Sequence, residues 1–390
     1  MKRNQGLLFS GLAFFFLFSC SNPENVKIQL DGVGINGAED IETNSALIMK
    51  SEYGKAEEKT VFLFTLSNAQ GTIVKITNFG GIITSILMPD KNGKEGDVVL
   101  GYDSLRQYQS NNPYFGAMVG RYANRIADGQ FRLGGNTYHL AVNNGKNSLH
   151  GGLKGFDKVV WEAREVPDSA DAILELSYLS KSGEEGYPGN LNVKVTYTLN
   201  DNNELIILIE AETDKPTPVN ICNHTYFNLS DADTNILGNV LTLNADRYTE
   251  VNSELIPTGK LPWVSGTAMD FNNSMVIGER ISRVKGGYDH NYVLNKKAGE
   301  LSLAAQLFDP RTGRQVEVFT TQPGIQFYTG NFLDGSIRGK GGKSYKQHYG
   351  LCLETQHFPD SPNHPSFPNA ILKPGEKYSE KTIYRFSVLK

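Results

Sequence analysis

Two stretches of the chain place an ionisable side chain two residues after a cysteine. Cys222 and His224 lie in CNHTYFNL, and Cys352 and Glu354 lie in GLCLETQHFPD. Because side chains alternate between the faces of a strand, each cysteine would share a face with its ionisable neighbour. A carboxyl group in such a setting can have its basicity raised towards the working pH, and a histidine can donate a proton near neutrality. The pair is therefore a candidate for general acid–base catalysis.

Taken alone, the histidine segment has an ordinary alternative. His224 is flanked by Asn, Thr and Tyr, which could fix its tautomer for catalysis or simply satisfy a core histidine. The two cysteines are too few for a disulfide framework in so long a chain. We expect Cys222 and Cys352 to be buried free thiols, with pairing between them left open.

Further polar side chains could bind a ligand. The candidates are Asn124, Arg125, His150, Asp289, Gln322 and Gln326. His150 lies in a glycine-rich loop (NNGKNSLHGG), where the backbone can approach a ligand closely. Each candidate has a structural alternative: a solvated loop histidine, an arginine paired with a carboxylate, or an aspartate that caps a turn.

The histidine spacing does not indicate a metal site. The chain has 7 histidines, but none forms an HxH or HxxxH pair on a predicted strand or helix face. Serine-nucleophile elbows, phosphate-binding glycine loops and dinucleotide fingerprints are also missing from the sequence. We therefore do not expect a transition-metal site.

The charge of the chain argues against a nucleic-acid partner. Lysine and arginine number 38 against 42 acidic residues, and the formal net charge is −4. No arginine–lysine cluster of the kind that nucleic acid binding requires is present in the sequence. A length of 390 residues is sufficient for one large all-β domain.

The first residues resemble an export signal. Lys2 and Arg3 precede a short apolar run that ends in LFSC at Cys20. The run is too short for a confident membrane span, and its end is typical of a bacterial lipoprotein signal in which Cys20 is lipidated. We expect residues 1–20 to be a signal peptide and residues 21–55 a polar tether. The protein would then be anchored in a bacterial cell envelope, periplasmic or outer-membrane, or be secreted if Cys20 is not lipidated.

From residue 56 onwards the sequence has the pattern of short strands. Runs rich in β-branched and aromatic residues (for example 61–66, 72–77 and 82–88) are separated by Asn- and Gly-rich turns. The clearest hairpin is centred on residues 200–203, and the best short helix is 104–108. Without helical crossovers, this pattern predicts one all-β domain over 56–390, an antiparallel sandwich.

Several motifs, in order along the chain, resemble the aldose 1-epimerases (galactose mutarotases). They are NPYFG (112–116), GRYANRIA (120–127), NSLHGG (147–152), NHTYFNL (223–229), YDH (288–290) and ETQHFPD (354–360). The resemblance runs from about residue 59 to the C-terminus. It implies a large antiparallel β-sandwich of the galactose mutarotase-like supersandwich type, a free sugar as partner, and no cofactor. We expect a monomer that touches a membrane only through its lipid anchor.

The resemblance also implies roles for individual residues. Glu354 resembles the general base, His224 the general acid, and His150 a second histidine near the ring oxygen. Asn124, Arg125 and Asp289 resemble ligands of sugar hydroxyls, with Gln326 rather than Gln322 as the sugar-binding glutamine and Tyr226 as a further contact. Anomer exchange needs a proton taken from the C1 hydroxyl and one given to the ring oxygen. His224 must be protonated while Glu354 is ionised, which their mutual attraction favours.

Two other functions fit part of the sequence. Asp289 and Glu354 could be the paired carboxylates of a glycoside hydrolase, although Trp161 and Trp263 are too few to line a long glycan groove. A lipoprotein that binds sugar without catalysis is the second alternative.

Overall fold

The described part of the chain consists mainly of short antiparallel strands. The computed structural model describes residues 47–110, 112–167 and 169–390. In chain order the strands are β1 (Leu47–Ala56), β2 (Lys59–Ser67), β3 (Ile73–Thr77), β4 (Ile82–Pro89), β5 (Glu95–Asp97), β6 (Ala117–Val119), β7 (Arg125–Ile126), β8 (Gln130–Leu133), β9 (Asn136–His139), β10 (Ser148–Leu149), β11 (Glu162–Val166), β12 (Ala172–Ser180), β13 (Leu191–Leu199), β14 (Glu204–Thr213), β15 (Thr217–Pro218), β16 (Cys222–His224), β17 (Tyr226–Phe227), β18 (Val240–Leu243), β19 (Arg247–Tyr248), β20 (Met275–Val276), β21 (Asp289–Val293), β22 (Ser302–Phe308), β23 (Arg314–Thr320), β24 (Gly324–Tyr328), β25 (Leu351–Gln356), β26 (Ile371–Leu372) and β27 (Tyr378–Val388).

Helices are few and short. The α-helices are α1 (Leu105–Tyr108) and α2 (Ile277–Arg280), and single 3₁₀ turns occur at Ala127–Gly129, Phe156–Lys158, Glu184–Gly186, Ile236–Gly238, Ile281–Arg283, Lys340–Gly342 and Ser361–Asn363. The short helix expected at 104–108 is confirmed by α1, whereas α2 was not predicted. In the described residues no helix is both long and apolar enough to cross a membrane.

Three large antiparallel sheets form the architecture. Their strand orders are β1-β2-β3-β4-β5, then β11-β12-β13-β14-β27-β23-β22-β18-β20, and finally β17-β25-β24-β21-β19. One core cluster takes side chains from all three, such as Phe64 of β2, Tyr197 of β13 and Phe327 of β24. The prediction of an all-β, antiparallel sandwich-type fold is confirmed.

Strand β13 shows why these segments become strands. Its apolar side chains at every second position are buried, and those between them are exposed or half-buried. It forms a hairpin with β14 in which Leu199 lies opposite Leu205. At the turn, the Asn200 side-chain oxygen accepts hydrogen bonds from the backbone N–H groups of Asn202 and Glu204. The predicted hairpin is confirmed.

The first strand begins inside the segment that was expected to be a tether. β1, at Leu47–Ala56, overlaps the end of the segment 21–55 and pairs along its length with β2. Lys50 and Glu52 of this strand lie opposite Phe64 and Phe62, so polar residues are held in a ladder by apolar neighbours on the next strand. The predicted signal peptide and residues 21–46 lie outside the described residues.

Candidate active site

A two-strand ladder brings together three of the predicted site residues. Arg125 of β7 lies opposite Leu149 of β10, so Asn124 and His150 are adjacent at the end of the ladder. The backbone N–H of His150 donates to the Asn124 carbonyl at 3.0 Å, and the backbone N–H of Asn124 donates to Nδ1 of His150 at 3.2 Å. Both residues have left-handed backbone, with φ of 62° and 50°, which Asn and His tolerate better than most residues. The ring of His150 is thereby locked.

The pairing of β17 with β25 joins the two catalytic candidates. Tyr226 lies opposite Cys352. Glu354 lies two residues further along β25, and His224 ends the preceding strand β16, two residues before Tyr226. Nε2 of His224 is 3.6 Å from Oε1 of Glu354, and both side chains are almost fully buried. The fold therefore brings the side chains of His224 and Glu354 together at one cleft, as proposed from the sequence.

The next strands of the same sheet supply the opposite wall. Gln326 of β24 lies directly across from Glu354 of β25, and β21 follows with Asp289 and Asn291. The Gln326 side-chain amide donates to Oδ1 of Asp289 at 2.6 Å. A carboxylate held in this way keeps one orientation, with its other oxygen left for a ligand.

These elements enclose a cavity of about 160 Å³. Its lining residues are Pro113, Tyr114, Asn124, Arg125, Leu149, His150, His224, Tyr226, Asp289, Tyr328, Phe332, Leu333, Ile337 and Glu354. All the predicted catalytic and sugar-binding residues are in this set except Gln326, which lies behind Asp289. Gln322 is elsewhere: its amide donates to the Tyr378 hydroxyl at 3.0 Å, and its oxygen is 2.9 Å from Nδ1 of His357.

Several aromatic and apolar residues that line the cavity were not predicted from the sequence. The ring of Tyr114 lies 4.6 Å from that of His150 and 5.7 Å from that of His224. Phe332, 73% exposed at the mouth, stacks on Tyr328. Tyr114 belongs to the NPYFG motif, so a signal for it was present. Phe332 comes from a loop with no strand pattern, and nothing local indicates its position.

Burial opposes both charges of the catalytic pair. Loss of solvent, with a smaller contribution from Asp289, raises the pKa of Glu354 to about 8. Loss of solvent lowers the pKa of His224 to about 4. Burial therefore opposes the ionised forms of Glu354 and His224 that their mutual attraction favours. Between these values the pair as a whole holds one proton.

His150, His224 and Glu354 are spaced like the ligands of a metal ion, but the protonation state of His150 does not suit metal binding. Donor atoms of His150, His224 and Glu354 lie within 4.8 Å of one another. Nδ1 of His150, however, accepts a backbone hydrogen bond, so the proton of the neutral ring is on Nε2. A metal-bound histidine needs the opposite arrangement, in which the ring nitrogen away from the metal donates. The cluster is better suited to proton transfer than to metal binding.

A larger open groove lies elsewhere in the described structure. It has a volume of about 680 Å³ and is lined by residues such as Glu162, Lys194 and Glu210. None of the predicted site residues lies in it. The smaller cavity is therefore the candidate active site, because it alone contains the acid–base pair.

Comparison with known proteins agrees with this assignment. The family model described as aldose 1-epimerase matches residues 63–385. The chain is 48% identical over 331 residues to galactose mutarotase from Bos taurus, covering 84% of this chain and 95% of that protein. It is 38% identical over 331 residues to aldose 1-epimerase from Escherichia coli, with 83% and 94% covered.

Solved structures give the same result. A galactose 1-epimerase from Lactobacillus acidophilus superposes with a TM-score of 0.80 at 30% sequence identity. The match covers 89% of this chain and 100% of that chain. An aldose epimerase homologue from C. elegans has a TM-score of 0.78 at 32% identity, with 84% and 99% covered. These relatives favour neither the glycoside hydrolase nor the inactive sugar-binding protein. The chain belongs to the aldose 1-epimerase family, and it is an isomerase that interconverts the α and β anomers of aldoses.

Proposed function

We propose that Glu354 is the general base and His224 the general acid of this reaction. The observation that supports the proposal is the distance of 3.6 Å between Oε1 of Glu354 and Nε2 of His224. The two oxygens that exchange protons in anomer interconversion, the C1 hydroxyl and the ring oxygen, are bonded to the same carbon. An acid and a base that serve them must therefore converge within a few ångströms, as these two atoms do.

The proposed steps balance without a further reactant. With the single proton of the pair on Nε2 of His224, Oε1 of Glu354 takes the proton of the C1 hydroxyl as Nε2 gives its proton to the ring oxygen. The bond between C1 and the ring oxygen breaks, and C1 becomes an aldehyde. Rotation about the C1–C2 bond presents the other face of the aldehyde. Closure then returns the proton from Glu354 to the C1 oxygen and from the C5 hydroxyl to His224.

Burial assists ring opening in this scheme. A carboxylate whose pKa is raised to about 8 is a stronger base than usual, and an imidazolium whose pKa is lowered to about 4 is a stronger acid. After both proton transfers the pair is uncharged, which is the state that a buried site prefers. The cavity thus favours the protonation state that accompanies the open-chain sugar.

The remaining polar side chains of the cavity are proposed to hold the sugar. Asn124, Arg125, Asp289 and Tyr226 line the cavity and offer donors and acceptors to hydroxyl groups. His150 is proposed to bind near the ring oxygen: burial, with His224 and Arg125 nearby, lowers its pKa well below the usual value. It is therefore neutral, and its Nε2–H is the available donor. Gln326 is proposed to act by orienting Asp289.

Galactose and glucose are the proposed substrates. Relatives from Bos taurus and Lactobacillus acidophilus are named for galactose, and a cavity of about 160 Å³ suits a single sugar ring. Polarimetry of freshly dissolved α-galactose, α-glucose and a pentose would rank them. We expect faster mutarotation of both hexoses, and no acceleration of any of them would refute the proposal.

We further propose that the enzyme is a monomer tethered to a bacterial cell envelope by lipid on Cys20. The support is the basic start, the apolar run and LFSC at Cys20. Cys20→Ser should abolish incorporation of labelled palmitate and release the enzyme from membranes. Unchanged labelling in that variant would contradict the anchor. Light scattering of the soluble fragment would test the monomer, since a dimer would have twice the expected mass.

A further inference from the structure

Two buried thiols make crossed contacts with the catalytic pair. Sγ of Cys222 lies 3.8 Å from Oε2 of Glu354, to which it donates. Sγ of Cys352 lies 3.6 Å from Nδ1 of His224. Cys222 therefore contacts Glu354 and not His224, which follows it by two positions in the sequence. Likewise, Cys352 contacts His224 and not Glu354. Both cysteines are free thiols in the described structure.

The crossing follows from the strand pairing. Tyr226 lies opposite Cys352 in antiparallel register. Residues two positions apart point to the same face, so each cysteine becomes a diagonal neighbour of the ionisable group across the pair. The arrangement depends on this register, because a shift by one residue would turn one strand's side chains to the other face.

Glu354 and His224 each have two polar side-chain atoms. One of them faces the other catalytic residue, and the second contacts a thiol. Glu354 presents Oε1 to His224 and Oε2 to Cys222. His224 presents Nε2 to Glu354 and Nδ1 to Cys352. Burial raises the pKa of both thiols well above the usual value, so both stay uncharged beside the catalytic pair.

We propose that Cys222 and Cys352 are positioning residues: Cys222 orients the Glu354 carboxyl group, and Cys352 sets the tautomer of His224. When the neutral ring carries its proton on Nδ1 and donates it to Sγ of Cys352, Nε2 is left unprotonated and can take up and give the proton that passes to the ring oxygen. A thiol that donates to Oε2 holds Oε1 towards the sugar and favours the ionised carboxylate. The inference rests on the proposed roles of Glu354 and His224.

The first test uses steady-state kinetics as a function of pH. We expect Cys352→Ala to lower kcat by about tenfold, as loss of an orienting contact does at other sites, with KM little changed. Cys222→Ala should lower kcat and move the alkaline limb of the profile upwards, since the carboxylate loses a donor. Cys352→Ser and Cys222→Ser keep a hydrogen-bonding group and should recover part of the activity.

A matched control separates the thiol from packing. Val119 lies opposite Cys222 in the pairing of β16 with β6 and belongs to the same small apolar cluster. Val119→Ala removes buried volume there without removing a hydrogen bond. An equal loss of kcat in Val119→Ala and Cys222→Ala, with no shift of either profile, would overturn the role of Cys222.

The second test reads the tautomer directly in the wild-type protein. In the free wild-type protein labelled with ¹⁵N-histidine, the ring nitrogens of neutral His224 should report a proton on Nδ1, the atom next to Cys352. His224→Asn identifies the signal. A proton on Nε2 in the neutral ring of the wild type, or an unchanged tautomer and kcat in Cys352→Ala, would overturn the role of Cys352.

The outcomes distinguish this inference from the proposed function. If Glu354→Gln and His224→Asn keep full activity, the catalytic roles themselves are wrong. If those variants lose activity while the cysteine variants keep kcat within about twofold and the same pH profile, only the positioning role is wrong.

Discussion

Nε2 of His224 lies 3.6 Å from Oε1 of Glu354 in a site where both side chains are almost fully buried. This relationship places a proton donor and a proton acceptor where one carbon of a sugar can present both of its oxygens. It also explains the opposite pKa shifts, because removal of water penalises the charged form of each group.

Replacing the carboxyl group of Glu354 by an amide should remove the base and keep its shape. We expect Glu354→Gln to lower the mutarotation rate by at least about 10², with sugar binding largely retained. Polarimetry measures the rate, and calorimetry measures binding. Nearly full activity in this variant would remove Glu354 from the role.

Replacing His224 should remove the acid. We expect His224→Asn to lower kcat by about 10²–10⁴, because asparagine cannot transfer the proton to the ring oxygen. A suitable control is His139→Asn, since His139 is exposed on β9 and should leave kcat unchanged. Equal effects of the two substitutions would show that the loss is not specific to the acid.

The pH dependence of kcat/KM should be bell-shaped, with limbs that belong to the pair. Above a pH of about 8, the Glu354–His224 pair loses its single proton, so no acid remains to protonate the ring oxygen. Below a pH of about 4, the pair gains a second proton, so no base remains to take the proton of the C1 hydroxyl. Rates measured by polarimetry should therefore be flat between these values. A single limb centred between them would contradict the assignment.

The two glutamines should behave differently. Gln326→Ala removes the amide that donates to Asp289, and we expect KM to rise by about tenfold because the carboxylate loses its orientation. Gln322→Ala removes contacts with Tyr378 and His357, so it should lower the melting temperature and leave KM unchanged. The reverse result would make Gln322 the sugar-binding glutamine.

Removal of metal ions should not affect the enzyme. The Nδ1 atom of His150 is occupied by a backbone donor, which leaves a protonated Nε2 that cannot bind a metal ion. Dialysis against a chelator should therefore leave kcat unchanged. Loss of activity that returns with one added metal would show that His150, His224 and Glu354 bind a metal ion.

The class of the fold was predictable because strand patterning is local. Alternation along β13 and turn residues such as Asn200 are visible in any short window of sequence. The start of the domain was not predictable in the same way: polar positions of β1, such as Lys50 and Glu52, became part of a strand through pairing with β2.

The sequence by itself determined which residue types are available, including His224, Glu354 and a cysteine two positions before each. Only the tertiary structure decided that β17 pairs with β25 in the register that crosses those contacts. It also decided that Phe332 reaches the cavity mouth and that burial shifts both catalytic pKa values. Pairing, loop placement and loss of solvent depend on residues distant in the chain, and no local pattern encodes them.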